Sequence, residues 1–349
     1  MSNKVPPLSF NHSIKYNVGN KPQQAQVKPK VLTIAAIPDD HTLVVDAIGE
    51  SGFEFNTSGN FIFPALSGVL RKEIILGGAK GGVPAFQRPN IVFNRICEPD
   101  SNRKGLELAR KIIDENKLPV LNHPDMVLAT ARDTLHQRFA NLDGVVVPKT
   151  LRISPRYCRE VQTLLEQEAV RLPCIFRPAG GHNSSGVVLL EKPSDASELE
   201  CFAFDGRDYY LSELYDCRDE DGFFRKFRVV YVGGKLFPRH FLVSDNWCVD
   251  VKSRFSEEAF HKEEQYFMEN FESYLGENGM TKLRDFCAKL GLDYFGLDLN
   301  LRPDGTLVVF EANACMSAFR SSQREYLQSY IDDMSKAMEE MILRSCQAT

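Results

Sequence analysis

Four oxygen-bearing side chains near the end of the sequence carry its strongest chemical signal. Gly296-Leu297-Asp298-Leu299-Asn300 and Val308-Val309-Phe310-Glu311-Ala312-Asn313 are apolar stretches separated by Arg302-Pro303-Asp304-Gly305. Pro, Asp and Gly in that order favour a tight turn, so the pair reads as a β-hairpin. Side chains two residues apart on a strand share a face, which puts Asp298 with Asn300 and Glu311 with Asn313. Hard oxygens converging among apolar neighbours suit Mg²⁺, which takes a few carboxylates and completes its shell with water and nucleotide phosphate. A hairpin whose polar residues merely face water is the competing reading; the apolar residues flanking them on both sides argue for burial.

A second stretch has phosphate chemistry. Cys174-Ile175-Phe176-Arg177-Pro178 reads as a strand, followed by the small-residue run Ala179 to Gly186 and a further strand over 187–191. A hairpin tip without bulky side chains can lie over polyphosphate and offer it backbone N–H groups. Gly181, His182, Ser184 and Ser185 form that tip, and Arg177 on the leading strand would meet a phosphate bidentately. His182 reads equally as a phosphate contact, a proton carrier or a solvated loop residue. By itself the stretch also fits a plain flexible hairpin; paired with the one at 296–313 it is far more specific. Gly77-Gly78-Ala79-Lys80-Gly81-Gly82 lacks the Walker spacing and reads as a surface loop.

The remaining elements must position these groups. Residues 1–29 are rich in Lys, Asn, Gln and Pro and read as a mobile arm. Buried strands are expected at 31–37 and 90–96, a helix at 41–49 capped by Asp39 or Asp40, an amphipathic helix at 101–116, and a strand at 118–121. That order indicates a small α/β domain with a parallel sheet over 30–121. Arg95, Glu98 and Asp100 follow its second strand, at the carboxyl end where such sheets commonly bind ligands. Helices are expected at 125–140, 155–171 and 256–290, the last stopping at Gly291, with strands at 145–148, 209–214, 226–232 and 235–243. A final helix at 321–345 carries Tyr326, Tyr330, Met334, Met338 and Met341 at helical spacing, which reads as core.

Bulk properties exclude several classes. The 349 residues are 43% hydrophobic and 26% charged, with a net charge of −5, which suits a soluble globular protein of two or three domains and not a general nucleic-acid binder. Nine scattered cysteines without a C-x-x-C pair indicate reduced thiols in the cytoplasm. Cys315, near Asn313, reads as a small buried thiol and not a nucleophile. No secretory signal or membrane span is evident, so neither nucleic acid nor membrane is an expected partner.

The order of these elements resembles the ATP-grasp superfamily over about residues 120–320, in the glutathione synthetase and ribosomal-protein glutamate ligase branch. Val309-Phe310-Glu311-Ala312-Asn313-Ala314 and Asn122-His123-Pro124 are similar to ATP-grasp modules fused to tetratricopeptide proteins. The resemblance implies an ATP-grasp fold behind a small pre-grasp α/β domain: an arm at 1–29, the pre-grasp domain at 30–121, an N-terminal lobe at 122–200 and a C-terminal lobe at 201–349. It implies ATP and Mg²⁺ as cofactors and a carboxylate–amine ligase acting through an acyl phosphate on an amino acid or peptide. A kinase on the same fold and a catalytically degenerate nucleotide-binding module are the alternatives, and a homodimer is among the options for assembly.

Carried over by position, the resemblance assigns Asp298, Glu311 and Asn313 to magnesium. Glu213, Leu214 and Tyr215 match the linker that meets adenine, and Arg177, Gly181, His182, Ser184 and Ser185 the phosphate loop. Arg228 matches the basic residue near the γ-phosphate or acyl phosphate, with Arg239 on the next strand. Two family lysines are replaced, one by Thr134 with Arg132 nearby and one by Arg177, and the usual small-Pro-Gly sequence after the final Asn is Ala314-Cys315-Met316.

Overall fold

The computed structural model describes residues 28–41, 44–48, 52–56, 64, 66–77, 87–181, 186–250, 253, 255–314, 316, 318, 319 and 324–347. Residues 1–27 of the proposed arm, residues 78–82 of the first glycine run, the loop residues His182, Ser184 and Ser185, and Cys315 lie outside that set.

The first sheet uses β1 (Lys30–Ala36), with β2 (Val44–Ile48) and β3 (Gly52–Asn56) forming a separate antiparallel pair beyond it. A helix over 41–49 is therefore a misreading. Val44, Val45 and Ile48 are β-branched, and that stiffness favours a strand over a helix in so short a segment. β4 (Leu70–Leu76), unforeseen because most of it is exposed, flanks β1 on one side and β5 (Ile91–Asn94) on the other. Helix α1 (Arg103–Glu115) and β6 (Val120–Leu121) complete a parallel sheet of order β4-β1-β5-β6. Leu106, Ala109, Ile112 and Ile113 turn one face of α1 onto that sheet.

The helix expected at 125–140 is two, α2 (Pro124–Leu128) and α3 (Arg132–Phe139). Between them the Thr130 hydroxyl donates to the Val127 carbonyl at 2.7 Å and Ala131 adopts an extended conformation, so α3 begins anew at Arg132. Next come β7 (Val145–Val146), β8 (Thr150–Ile153), α4 (Cys158–Glu166), β9 (Cys174–Pro178), β10 (Val188–Leu190) and, after a 3₁₀ turn, β11 (Tyr209–Glu213). Strands β10-β9-β11-β8 form an antiparallel sheet.

The third sheet, β13-β12-β14-β15-β7, contains β12 (Phe224–Val232), β13 (Lys235–Ser244), β14 (Tyr294–Leu301) and β15 (Leu307–Ala314). Between β13 and β14 the expected helix divides into α5 (Glu258–Glu269) and α6 (Phe271–Leu290). Gly291 ends α6 at φ 75°, a left-handed cap that glycine adopts without strain. Helix α7 (Glu325–Gln347) buries Met334, Met338 and Met341 in one cluster with Val31 and Phe93 of the first sheet and Val230, Val232 and Tyr294 of the third. Among the described residues no helix is long and apolar enough to cross a membrane.

One buried carboxamide ties the first sheet to the third. Asn122, fully buried at φ 56°, accepts from the amides of Asp293 and Tyr294 at 2.9 Å each and donates to the Tyr294 carbonyl at 2.6 Å. Its own carbonyl accepts from Asn94 at 3.0 Å. Asparagine is among the few residues that tolerate positive φ, so side chain and backbone both select it. Asn122→Ala strands three hydrogen-bonding groups and is expected to cost about 3 kcal/mol in urea denaturation. Asn122→Gly, which relieves the backbone but not the lost bonds, should recover only part of that loss.

Candidate functional site

Register across the third sheet assembles the site. Arg228 of β12 lies opposite Asp298 of β14, and Asp298 opposite Glu311 of β15. Arg228 also faces His240 of β13, so His240, Arg228, Asp298 and Glu311 form one row across four strands. Directly opposed residues share a face, so the row needs no long-range folding of side chains. Two slips set its phase: β15 skips Phe310 between Val309 and Glu311, and β13 skips Arg239 between Pro238 and His240.

Both carboxylates of the row are held by cations of the chain. Arg228 donates through Nε to Oδ1 of Asp298 at 2.6 Å and through Nη2 to Oδ2 at 3.0 Å, and Lys226 Nζ lies 3.3 Å from Oδ2. Arg132, the first residue of α3, donates to Glu311 Oε2 and also to the carbonyl of the skipped Phe310 at 3.0 Å. Asn313 donates to Glu311 Oε1 at 2.7 Å. Burial pushes both carboxyl groups up, but the cations override it: Arg228 and Lys226 hold Asp298 well below the usual range, and Arg132 brings Glu311 down to about 2. Burial, reinforced by Arg228, keeps His240 largely neutral, and its Nε2 is enclosed without a hydrogen-bond partner.

Glu311 and Asn313 open onto a cleft that Arg132, Arg177, Gly181, Glu98 and Tyr210 also line. Arg177 donates to the Gly181 carbonyl, so β9 carries its guanidinium to the glycine-rich run. Burial, with Arg132 nearby, lowers Arg177 to about 10, while burial and then Asp100 push Glu98 up to about 7. Arg239 lies near Arg228 and donates to the Ala318 carbonyl at 3.0 Å, apart from the residues that line the cleft. Glu213, Leu214 and Tyr215 sit at the end of β11 against residues 171–173. Glu213 accepts from the Arg171 amide at 3.3 Å, Leu214 donates to the Pro173 carbonyl at 3.1 Å, and Arg171 lies 5.6 Å from the Tyr215 ring centre.

Several participants are not evident from sequence motifs alone. Lys226 alternates with Arg228 along β12, a period-2 signal for the same face. Arg152 on β8 has no motif at all, yet it gathers carboxylates from separate segments: Asp100 at 2.7 Å, Asp133 at 2.9 Å and Asp208 at 3.0 Å, with the Tyr210 hydroxyl at 2.5 Å. Tyr210 in turn donates to Asp100 at 2.8 Å, which fixes the loop bearing Glu98 against the second sheet.

The donor set fits Mg²⁺ chemically. Asp298, Glu311 and the Asn313 amide oxygen are hard donors, and Asn300 Oδ1, two residues along from Asp298, is buried without a hydrogen-bond partner. Among the described residues no three His, Cys, Asp or Glu side chains are grouped to hold an ion, so such a site would depend on amide, water and phosphate oxygens.

No family model matches the chain, and no curated protein matches it. Solved structures do. D-alanine–D-alanine ligase from Bacillus anthracis superposes with a TM-score of 0.55 at 13% identity, over 92% of this chain and 98% of that one. VanG D-Ala:D-Ser ligase from Enterococcus faecalis gives 0.53 at 13% identity over 91% and 99%. D-alanyl-alanine synthetase A from Vibrio cholerae O1 biovar eltor gives 0.52 at 12% identity over 93% and 99%. The chain has the ATP-grasp fold.

Glu98 offers a test of this electrostatic picture. Its pKa in the folded chain exceeds the ordinary 4.5, so folding favours the protonated acid. No penalty arises below the unfolded pKa; it grows as pH rises towards 7 and reaches about 3 kcal/mol above that. Glu98→Gln removes the titration, so the variant should gain melting temperature relative to the parent between pH 4.5 and pH 8. A difference independent of pH would contradict the shift.

Proposed function

We propose that the chain is an ATP-dependent carboxylate–amine ligase that joins an amino acid or peptide carboxylate to an amine through an acyl phosphate. The observation that carries this reading is the Arg228–Asp298–Glu311 row, joined by Arg132 and Asn313 at the edge of a cleft that Arg177 and Gly181 also line. Arg177 and Arg132 would bind nucleotide phosphates, and Glu213, Leu214 and Tyr215 would receive adenine where the chain leaves the second sheet. Mg²⁺, held by Asp298, Glu311 and Asn313, would offset phosphate charge.

Arg228, with Arg239 close by, would meet the charge that develops as a substrate carboxylate attacks the terminal phosphorus. Positioning and fixed charge carry such a reaction, so no side-chain nucleophile is needed. In the second half an amine attacks the acyl carbon and phosphate leaves. Glu98, in the same cleft and with a pKa near neutrality, is suited to take the proton that the amine loses. A small-molecule or peptide substrate and a cytoplasmic setting belong to this reading.

The replacement of a family lysine by Thr134 favours a second reading, a module that binds nucleotide without turnover. Incubation with ATP, Mg²⁺ and mixed amino acids and peptides separates these readings from each other and from a kinase on the same fold. A ligase releases ADP only when carboxylate and amine are both present, a kinase leaves a stable phosphoester, and a binding module yields neither. Glu311→Gln is expected to lower ADP release at least about a hundredfold while the circular dichroism spectrum stays unchanged. Parental turnover in that variant would remove Glu311 from the site.

A further inference from the structure

All four oxygens of the paired carboxylates are already engaged. Oδ1 of Asp298 accepts from Arg228, Oδ2 from Arg228 with Lys226 beside it, Oε2 of Glu311 from Arg132 and Oε1 from Asn313. Three cations face two carboxylates, so this part of the site carries net positive charge, and Arg177 and Arg239 add to it from nearby. Asp298 is only 2% exposed, so water screens its pairing little.

We infer that the chain's own cations close this carboxylate pair to a free divalent ion, and that a bound polyphosphate opens it by drawing Arg132 and Lys226 away. The inference concerns the same site as the proposed function and rests on that reading for the identity of its natural polyanion. A lone divalent ion would have to displace a guanidinium from a half-buried carboxylate and leave it without an anion, in a region already positive. Removing one partner of a buried pair is costly for that reason. A triphosphate reverses the balance. Guanidinium binds phosphate as readily as carboxylate, so Arg132 exchanges one anion for another, and the released Glu311 oxygen faces the incoming metal.

Arg132 is the decisive residue because it spans two elements. It starts α3, two positions before Thr134, yet its guanidinium reaches both the Glu311 carboxylate and the carbonyl exposed by the bulge at Phe310. A side chain bonded at two points can leave the carboxylate while α3 stays in place. Linkage makes the effect mutual: whatever polyanion opens the pair to metal is itself bound more tightly when metal is present.

Mn²⁺ retained with the full chain in equilibrium dialysis, counted as the excess over the protein-free side at the same polyphosphate concentration, tests this without turnover. With Mn²⁺ alone the parent should show no saturable uptake below about 1 mM, whereas Arg132→Gln should bind at least about tenfold more tightly. Arg132→Lys, which keeps the charge, should stay closed. Lys226→Gln, which lowers the positive charge around both carboxylates while the Arg228–Asp298 pair stays bidentate, serves as a second, weaker opening variant should Arg132→Gln not fold. Tripolyphosphate and a non-hydrolysable ATP analogue should each induce saturable uptake by the parent. Tight binding of Mn²⁺ alone by the parent, uptake in both opening variants no better than the parent's, or no uptake with either polyanion would overturn the inference. Uptake with tripolyphosphate but not with the ATP analogue would uphold it and count instead against a nucleotide as the site's ligand.

Discussion

A carboxylate removed from water must find positive charge or give up its own, and here two of them stand on adjacent strands with their partners chosen in advance. Asp298 and Glu311 would repel each other across β14 and β15 if left alone. Arg228 and Lys226 from β12 stabilise the first, and Arg132 from α3 the second. The row therefore holds the third sheet and α3 in one electrostatic unit. The bulge at Phe310 belongs to the same device, because it frees a backbone carbonyl for Arg132 at the point where the carboxylate must be met.

Around that row the architecture brings three sheets to one cleft. Asn122 fastens the end of the first sheet to the start of β14, and α7 fills the space between the first and third sheets with methionines, whose unbranched side chains adapt to irregular gaps. Arg152 supplies the link to the second sheet through carboxylates at Asp100, Asp133 and Asp208. The Asn122 and Arg152 ties each use a polar group that is buried or half-buried and multiply bonded, which makes them directional in a way that the apolar packing of α7 is not. Glu98, carried on a loop so fixed, lies in the cleft with Arg132, Arg177 and Glu311.

The hairpin at 294–314 was legible because three local signals agreed: a Pro-Asp-Gly turn, apolar flanks and oxygen-bearing residues at period two. The turn closes as expected, with the Gly305 amide donating to the Arg302 carbonyl at 2.8 Å. Where one signal stood alone the reading failed. The segment after Asp40 has a plausible helix cap but β-branched residues that pair as a strand, and the helix over 125–140 breaks at Thr130 through a hydroxyl-to-carbonyl bond that periodicity does not report. Strands β4 and β8 carry no such signal because neither is a buried apolar run: β4 is exposed except at Ile74 and Leu76, and β8 is half-buried except at Thr150.

The sequence by itself determined which residue types alternate on the strands at 226–232 and 296–313 and that a turn falls at 302–305, and hence that Asp298, Glu311 and Asn313 belong to one hairpin and Arg228 to another strand. Those are local properties, encoded in spacing. Only the tertiary structure decided what those side chains touch. Register across β12, β14 and β15 set Arg228 against Asp298, a one-residue bulge set the phase of Glu311, and the start of α3 delivered Arg132 from 179 residues away in the chain. Contacts of that kind depend on how separate elements pack, and no spacing within a single element records them.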